Sequence, residues 1–474
     1  MLYGGRWNRF RSACTTLNEE RDMRFTRHRR LVVPVVAAAA LGLTLTACTG
    51  DIANEDAGDV DCAPYEQYGT FEGKKVSISG TILDLEADRL VESWKDFQTC
   101  TGIEITYQGS SEFEAQIAVL AEGGNAPDIG IVPQPGLLGR LADGGWLIPA
   151  SQEVEANVDE FWSEDWKQYG TYDGTFYAAP LMASIKGYIW YSPAEFEEKG
   201  YEIPKTLDEL NALSEKIASE GDHKPWCVGF ESGDATGWPG TDWIEDYMLR
   251  LHGADVYDQW VTHGIPFNDP KVAEAFDAAG EILKNPDMVN GGIGDVSTIV
   301  TEAFQTAGLP ILDGQCSLHH QASFYETFWN PDGGDANTVA SDGTVFAFLM
   351  PPANADDPLS VTGGGEFPVA FRDAEEVEAV RAYLSSDTWA NNRVKLGGVI
   401  SANKGLDPKN ASSELLEQSI EILQDPETTF RFDGSDLMPG AVGADSFWKG
   451  MVAWTTGQST ADTLNTIESS WPAS

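Results

Sequence analysis

The sequence predicts an α/β protein of two lobes, each a mostly parallel sheet flanked by helices, behind an export leader. Three observations carry this reading. From about residue 75, short apolar alternations recur between stretches of helical period, the pattern of strands joined by crossover helices. The 474 residues exceed what one hydrophobic core comfortably supports. A basic head precedes a strongly acidic body, as in exported proteins.

The head comes first. Residues 1–47 carry eight of the 30 basic residues, Arg6, Arg9, Arg11, Arg21, Arg24, Arg27, Arg29 and Arg30, and three of the 75 acids, Glu19, Glu20 and Asp22. The remaining 427 residues hold 22 basic and 72 acidic side chains. Arg24 to Arg30 form a positive n-region, and Leu31 to Leu45 an apolar run that contains Pro34 and ends in small residues before Cys48. The run is shorter than the ~20 residues a spanning helix needs, so it reads as a signal peptide rather than a membrane anchor. Met23 is a second candidate start. Arg29-Arg30 lacks the rest of a twin-arginine context, so the Sec and twin-arginine routes both stay open. Residues 48–73, with Asp51, Glu55, Asp56, Asp59 and Asp61, read as a solvated acidic tether. The acidity of the body argues against nucleic acid, whose phosphates need clustered Lys and Arg, and against docking on anionic lipid.

Past Cys14 and Cys48, four cysteines remain: Cys62, Cys100, Cys227 and Cys316. Three pairings are open. Outside the cytoplasm disulfides are favoured over free thiols, and Cys62 with Cys100 and Cys227 with Cys316 are the preferred pairs. None has zinc-type spacing. His319 and His320 are adjacent and so point apart, and no metal site is expected.

Along the body, Val76 and Ile78 mark a first strand within Lys75 to Ser79. Ala87, Leu90, Val91, Trp94 and Phe97 share one helix face, which makes Trp94 a core residue. Ile103, Ile105 and Tyr107 mark a second strand. Phe113, Ile117 and Leu120 mark a helix stopped by Gly123-Gly124. Ile129 to Val132 is a third strand, followed by a short helix around Leu137 to Leu141. Loops at the carboxyl ends of such strands face ligands: Gly80-Thr81, Ser110-Ser111-Glu112 and Pro133-Gln134-Pro135. A second region starts near Ala183. Thr206 and Glu209 form a capping box ahead of Leu207, Leu210, Leu213 and Ile217. Residues 225–260 are dense in Trp, Gly and Asp. Val272, Phe276 and Ile282 mark another helix, and 330–343 a loop. A strand at Val345 to Leu349 leads to Pro351-Pro352 and Gly363-Gly364-Gly365. Helices are predicted at about 373–385 and 412–424.

Two resemblances sharpen this. Leu45-Thr46-Ala47-Cys48 resembles the lipobox of bacterial lipoproteins. It implies a diacylglycerol thioether and palmitate on Cys48, anchoring the mature chain at the extracytoplasmic face of the cell membrane. In the body, Asn125-Ala126-Pro127-Asp128-Ile129, Tyr177-Ala178-Ala179-Pro180 through Ile189-Trp190-Tyr191-Ser192, Ile203 to Leu210, and Ser446-Phe447-Trp448 stand in the order found in extracellular solute-binding proteins of ABC importers. The group they resemble is the large sugar-binding one related to maltose-binding protein. Ser192 stands in place of its usual Asn, and Leu207 in place of its Trp. Gly237 to Trp243, and Phe432 to Pro439, look like the α-glucoside-binding subset. The resemblance implies a two-lobed periplasmic-binding-protein-like fold with three interlobe crossings, near 180–184, 352–362 and 397–403. Lobe one is then 74–181 plus 362–398, and lobe two 184–352 plus 403–474.

A sugar presents CH faces to aromatic rings and hydroxyls to planar donors and acceptors. Trp448, where the resemblance places a stacking Trp, and Trp238 are the stacking candidates, each in a Gly/Asp-rich loop. Ser110 and Gln134 lie at strand ends. Ser184 and Lys186 follow the first crossing, where family members often carry a carboxylate in place of Ser184. Asp242 lies in the Trp238 motif, and Gln321 follows Cys316. Glu366 follows three glycines that let backbone approach a ligand. Asp433, Ser435 and Asp436 form a polar loop. For each of these a turn, cap or core role competes with ligand contact; for Asp128 the structural role leads. The implied function is capture of an α-glucoside-type oligosaccharide between the lobes and delivery to ABC permease subunits, by a monomer with no cofactor and no enzymatic activity. The alternatives are a secreted glycosidase, which needs two carboxyls about 5–5.5 Å or 6.5–9.5 Å apart, and the same fold carrying a non-sugar solute.

Overall fold

Val76 and Ile78 are buried while Lys75 is exposed, and this alternation makes Lys75–Gly80 the centre of a four-stranded sheet. It pairs in parallel with Glu104–Gly109 on one side and Ile129–Val132 on the other. Phe367–Ala370, from far along the chain, closes the sheet antiparallel to Ile129–Val132. The computed structural model describes residues 60–292, 296–331 and 333–472; the leader, Cys48 and the start of the tether lie outside them.

The predicted helix through Trp94 is two helices, Asp84–Glu92 and Lys95–Thr101. Ser93 ends the first. Its carbonyl accepts from the Tyr383 hydroxyl at 3.0 Å, its Oγ accepts from Trp389 Nε1 at 3.0 Å, and its Oγ donates to the Leu90 carbonyl at 2.6 Å. Such capture of a serine competes with helix continuation. Trp94 itself is fully buried. Cys100 on the second helix is bonded to Cys62, with their Cα atoms 5.4 Å apart. In Phe113–Glu122 the core side is Phe113, Ile117 and Ala118; Leu120, predicted to be on it, is 38% exposed.

A second sheet has five strands in the order Phe346–Leu349, Tyr188–Tyr191, Cys316–Gln321, Lys224–Cys227, Val289–Asn290. The first three pair antiparallel and the last three in parallel, so this sheet is mixed. Cys227 and Cys316 form the second disulfide, between neighbouring strands. Leu207–Glu220 is capped by Thr206, whose Oγ1 accepts from Glu209 N at 3.2 Å. The Glu209 carboxylate reaches back to Lys205 N at 2.7 Å, one residue earlier than a capping box predicts.

A third sheet joins Ala183–Ile185, Ser360–Gly365 and Thr429–Phe432, and Ile400 bridges to Ala183. Ser360–Gly365 is thus flanked by Ala183–Ile185 and Thr429–Phe432, with Ile400 beside Ala183. The run Gly363 to Gly365 is buried strand rather than a ligand-facing loop. A methyl on Gly363 would stand 2.5 Å from the Ser184 carbonyl, and one on Gly365 2.7 Å from the Met182 carbonyl. These glycines serve close strand packing.

The stretch dense in Trp, Gly and Asp contains a long helix, Trp238–His252, buried from Pro239 to Arg250. It packs against the third sheet, and its inward face is charged. Among the described residues no helix is long and apolar enough to cross a membrane.

Candidate functional site

A cavity of about 1040 Å³ opens between two walls, at the upper end of the roughly 300–1,000 Å³ typical of small-molecule sites. The first wall is built at the carboxyl ends of the first sheet's strands. It presents Ser111 and Glu114 after Glu104–Gly109, Gln134 and Arg140 after Ile129–Val132, and then Tyr169 and Tyr172. Gln134 stands just before Pro135–Asp143 without a side-chain cap bond, and its Nε2 donates to Glu114 Oε2 at 2.6 Å. Burial pushes the Glu114 carboxyl up to about 7, against the pull of Lys186. Tyr172 packs on Gly139, where a methyl would meet its ring at 2.7 Å, and donates to Asp143 Oδ2 at 2.8 Å.

The second wall presents Asp234, Thr236, Met438, Asp445, Trp448 and Lys449. Trp448 is 5% exposed and its Nε1 has no partner. It is not in a loop: it opens the helix Trp448–Thr455 directly after a π-helical turn, Val442–Phe447. Gly237, with φ of 117°, lets the Trp448 carbonyl lie against the start of the Trp238 helix; a methyl there would stand 2.3 Å from that oxygen.

Behind this wall lies a buried charged layer. The helix Trp238–His252 turns Asp242, Glu245, Asp246 and Arg250 inward at helical spacing. Lys186 Nζ donates to Asp242 Oδ1 at 2.9 Å and to Asp433 Oδ2, and lies 5.0 Å from the Trp238 ring centroid. Burial alone would lower the lysine, but Asp242, Asp433, Asp436 and Glu245 more than reverse that and hold it well above its usual value. Burial would likewise raise Asp433, yet Lys186 holds it below the ordinary carboxylate range. Asp242, Glu245 and Asp436 are driven well above theirs, chiefly by burial, as one cation cannot balance four carboxylates. The carboxylates of Asp242, Glu245 and Asp433 are close enough to share a metal ion, but the Lys186 ammonium stands against two of them.

A neighbouring network is centred on Asp246. It accepts from Thr362 Oγ1 at 2.8 Å, bonds His320 Nε2 at 2.8 Å, and lies 3.5 Å from Arg250 Nη1. It therefore fastens the middle strand of the third sheet to the second sheet. His319 points the other way, to the Cys227 carbonyl at 2.9 Å, and burial lowers it to about 4.

Of the candidate residues, Gln134 and Trp448 line the cavity. Lys186, Asp242, Asp433 and Ser435 form the buried layer behind it, where Ser435 Oγ donates to Asp433 Oδ1 at 2.8 Å and Ser435 N to Glu245 Oε1 at 3.0 Å. Asp436 is on the same turn, Gly434–Leu437, capped by Asp433. Trp238 is the first residue of a helix, not part of a loop. Its ring packs edge-on to Phe304 at 4.9 Å and beside Phe324. Ser110 makes a local turn, accepting from Glu112 N at 3.2 Å. Ser184 lies in the third sheet opposite Gly364. Gln321 turns its Oε1 to Ala322 N at 2.7 Å. Glu366 follows the glycine strand; its carbonyl accepts from Leu181 N at 2.8 Å, and its Oε2 is buried without a partner. Burial, reinforced by Glu86, pushes this carboxyl up to about 8. Asp128 is structural: it accepts from Ser77 N and Oγ at 2.7 and 2.9 Å and pairs with Arg372.

The sequence reading missed Glu114, Tyr169, Tyr172 and Asp234. Glu114 lies one turn beyond a strand end already singled out, so extending that signal into the helix would have reached it. Tyr169 ends the six-residue helix Glu164–Tyr169 and Tyr172 lies in the two-residue strand Thr171–Tyr172, elements too short to show a period.

A family model described as bacterial extracellular solute-binding protein matches residues 84–306. The chain is 36% identical over 452 residues to the osmoprotective compounds-binding protein GgtB of Synechocystis sp., covering 95% of this chain and all of that one. It is 35% identical over 418 residues to the alpha-glucosides-binding periplasmic protein AglE of Rhizobium meliloti, covering 86% and 89%. Among solved structures, one from work on xylan utilisation by Caldanaerobius polysaccharolyticus superposes with a TM-score of 0.70 at 15% identity, over 83% of this chain and 99% of that one. The maltose-bound T. maritima MalE3 gives 0.64 at 16%, over 83% and 98%.

Proposed function

We infer this protein's ligand from the family to which the chain belongs, the bacterial extracellular solute-binding proteins of ABC sugar transporters. It is the substrate-binding component of such an importer, acts outside the cytoplasm, and is not an enzyme. The secreted-glycosidase alternative ends with that membership.

We propose that the ligand is a neutral α-glucoside of oligosaccharide size or an osmoprotective glycoside. The observation that carries this is the cavity itself: Trp448, Tyr169 and Tyr172 offer apolar faces, while Gln134, Glu114 and Asp234 offer polar atoms beside them, the mixture a sugar needs. The names of the two relatives, one for alpha-glucosides and one for osmoprotective compounds, support that range. In this proposal the third sheet and the segment at Ile400 are the straps about which two lobes, 74–181 plus 362–398 and 184–352 plus 403–474, close. Ligand favours the closed state, which the permease reads. Lys186, Asp433 and Asp242 shape the second wall from behind rather than touching sugar. A lipid on Cys48 holds the protein at the membrane.

The test is a thermal-shift panel of mono- and oligosaccharides on the Cys48→Ser form, with product analysis of every hit. A rise in Tm with an α-glucoside recovered intact is expected. No shift with any saccharide, or a cleaved product, overturns the proposal. Radiolabelled palmitate on Cys48 in the wild type, absent from Cys48→Ser, is the expected outcome for the anchor.

A further inference from the structure

We propose that Arg393 and Glu366, with Glu86 beside them, form a second ligand subsite, which holds two adjacent hydroxyls of a neutral saccharide. The proposal rests on the reading of the protein as a sugar carrier; neither Arg393 nor Glu366 lines the cavity described above. Arg393 is 1% exposed. Its Nη1 donates to the Gly397 carbonyl at 2.9 Å, while Nε and Nη2 are buried with no partner among the described residues. Those two nitrogens make one edge of the guanidinium fork, the edge that grips two oxygens at once. Arg381, just as deeply buried, is committed to the fold: its Nη1 donates to Glu378 Oε1 at 2.7 Å and its Nη2 to the Tyr177 carbonyl. Each buried donor without an acceptor carries a desolvation cost, and Arg393 holds a whole edge of them. The backbone brings an acceptor to the same place. Gly365 pairs with Ala183, and Ala183 bridges to Ile400, so the end of the glycine strand and the segment after Arg393 flank one strand. The pairing continues through Glu366, whose N donates to the Met182 carbonyl at 3.4 Å. Glu366 Oε2 is buried and has no partner among the described residues. From the other side, Glu86 lies one turn before Arg89 in Asp84–Glu92. Arg89 meets the turn that Arg393 holds: a methyl on Gly398 would stand 2.7 Å from its Nη1, which donates to Thr327 Oγ1 at 3.3 Å.

Arg393 therefore stands in the field of Glu86 and Glu366, with Arg89 beside it, and its free edge bonds none of them. A hydroxyl suits such a group. It accepts from a guanidinium N–H while giving its own hydrogen to a carboxyl oxygen, and it can take a hydrogen from that carboxyl instead if the carboxyl is protonated. A carbonyl or ether oxygen can only accept. Two neighbouring hydroxyls match the two nitrogens of the edge, as the two oxygens of a carboxylate would. The charges choose between them: an anionic ligand meets Glu86 and Glu366, and a cationic one meets Arg393 and Arg89, so the class left is a neutral polyol. Glu86 and Glu366 are half-buried and Arg393 is fully buried, which puts the guanidinium at the floor of the group and the carboxyls at its rim. A site of this kind selects by hydrogen bonding, because a ligand without the hydroxyls leaves its buried polar atoms unpaired.

The test uses maltose, trehalose and sucrose with the Cys48→Ser protein and, in that background, Glu366→Ala, Glu366→Gln and Arg393→Lys. Titration calorimetry gives affinity, and thermal unfolding gives the Tm of each ligand-free protein. For the sugar that binds tightest, Glu366→Ala is expected to weaken binding at least about tenfold. Glu366→Gln, which keeps an acceptor, should recover part of that loss. Arg393→Lys should weaken binding at least as much as Glu366→Ala, since an ammonium cannot grip two oxygens side by side. The ligand-free Tm of the Glu366 variants should not fall, because Oε2 has no bond to lose. A lower Tm in Glu366→Ala with the wild-type affinity in its folded fraction assigns Glu366 to the fold and overturns the proposal, as does a wild-type affinity at an unchanged Tm. If Arg393→Lys does not fold, the Glu366 variants decide alone. If none of the three sugars binds, the sugar reading is what fails, and the subsite is judged with glycerol and myo-inositol, neutral polyols with adjacent hydroxyls. Binding of either that Glu366→Ala weakens tenfold supports the subsite; no binding, or binding that Glu366→Ala leaves unchanged, overturns it.

Discussion

The two walls of the cavity present similar surfaces to the solvent between them but rest on different foundations. The first wall stands on an ordinary apolar core: Ile78, Ile129, Ile131 and Leu138 are almost fully buried beneath Gln134 and Glu114. The second stands on Lys186, Asp242, Glu245 and Asp433, all less than a tenth exposed. An apolar foundation is tolerant, because its energy is spread over many small contacts. A charged one is not, because removing one partner strands the others in a medium that cannot solvate them. The first wall should therefore bend under mutation where the second breaks.

The largest expected effect is at Lys186. Lys186→Met leaves Asp433 and Asp242 buried without their cation, a loss of about 3–5 kcal/mol in urea unfolding at pH 7. The sign of its pH dependence follows from Asp433, whose carboxyl Lys186 holds below its ordinary range. A depressed carboxyl adds stability above its unfolded value, and that stability is lost as pH falls through the folded one. The gap between wild type and variant should therefore narrow below about pH 4. A cost under about 1 kcal/mol at pH 7 would erase the contrast between the walls.

Next comes Trp448, where the second wall meets ligand. A buried aromatic anchor at the centre of a site is worth about 2 kcal/mol or more, so Trp448→Ala should weaken binding of the panel's best sugar at least about thirtyfold by calorimetry. Trp94→Ala is the control of the same residue type: it should cost stability and leave the affinity of the folded fraction unchanged. An unaltered affinity in Trp448→Ala would remove the stacking role from the second wall.

The same contrast explains what the sequence made legible. The first sheet was readable because its foundation is apolar: Val76, Ile78 and Ile105 repeat at strand period, and Trp94 completes a helix face. Gln134 followed from its place at a strand's carboxyl end. The helix Trp238–His252 was hidden because its inward face is Asp242, Glu245, Asp246 and Arg250, and periodicity arguments assign charged residues to solvent. Its ends were readable all the same, with Pro239 near the start and Gly253 just past the end, the usual asymmetry. Trp448 was reached by resemblance but misplaced in a loop, since Gly443 and Asp445 interrupt the helical pattern at the π turn. Glu366, Ser184 and Gln321 were chosen for their neighbours in sequence. Ser184 pairs in the third sheet opposite Gly364, Gln321 turns its side chain to Ala322 N, and Glu366 has its Oε2 buried at the end of the glycine strand.

A third comparison turns on pH. Glu114 in the first wall is raised to about 7 by burial, the opposite sign to Asp433. A raised carboxyl contributes most below its unfolded value near 4.5, and that contribution is lost as pH climbs to about 7. Glu114→Gln, which cannot ionise, should gain on wild type over that interval by about 1–2 kcal/mol, measured as a difference in unfolding free energy at pH 4.5 and pH 7.5. If the difference does not change with pH, Glu114 is hydrated and the first wall carries no proton.

The smallest effect is the most direct check on the first wall's tolerance. Gln134→Ala removes one donor from Glu114 and little else, because Gln134's backbone, not its side chain, starts the helix Pro135–Asp143; no side-chain cap bond is made there. A single buried hydrogen bond of this kind nets about 1 kcal/mol, so the variant should lose about that much stability. If Gln134 also touches sugar, the affinity loss will exceed the stability loss; if it only orients Glu114, Glu114→Gln combined with Gln134→Ala will cost no more than either alone. A double-mutant cycle on binding separates the two roles. Should Gln134→Ala instead unfold the protein as Lys186→Met is expected to, both walls rest on polar foundations, and their difference is one of residue type rather than of tolerance.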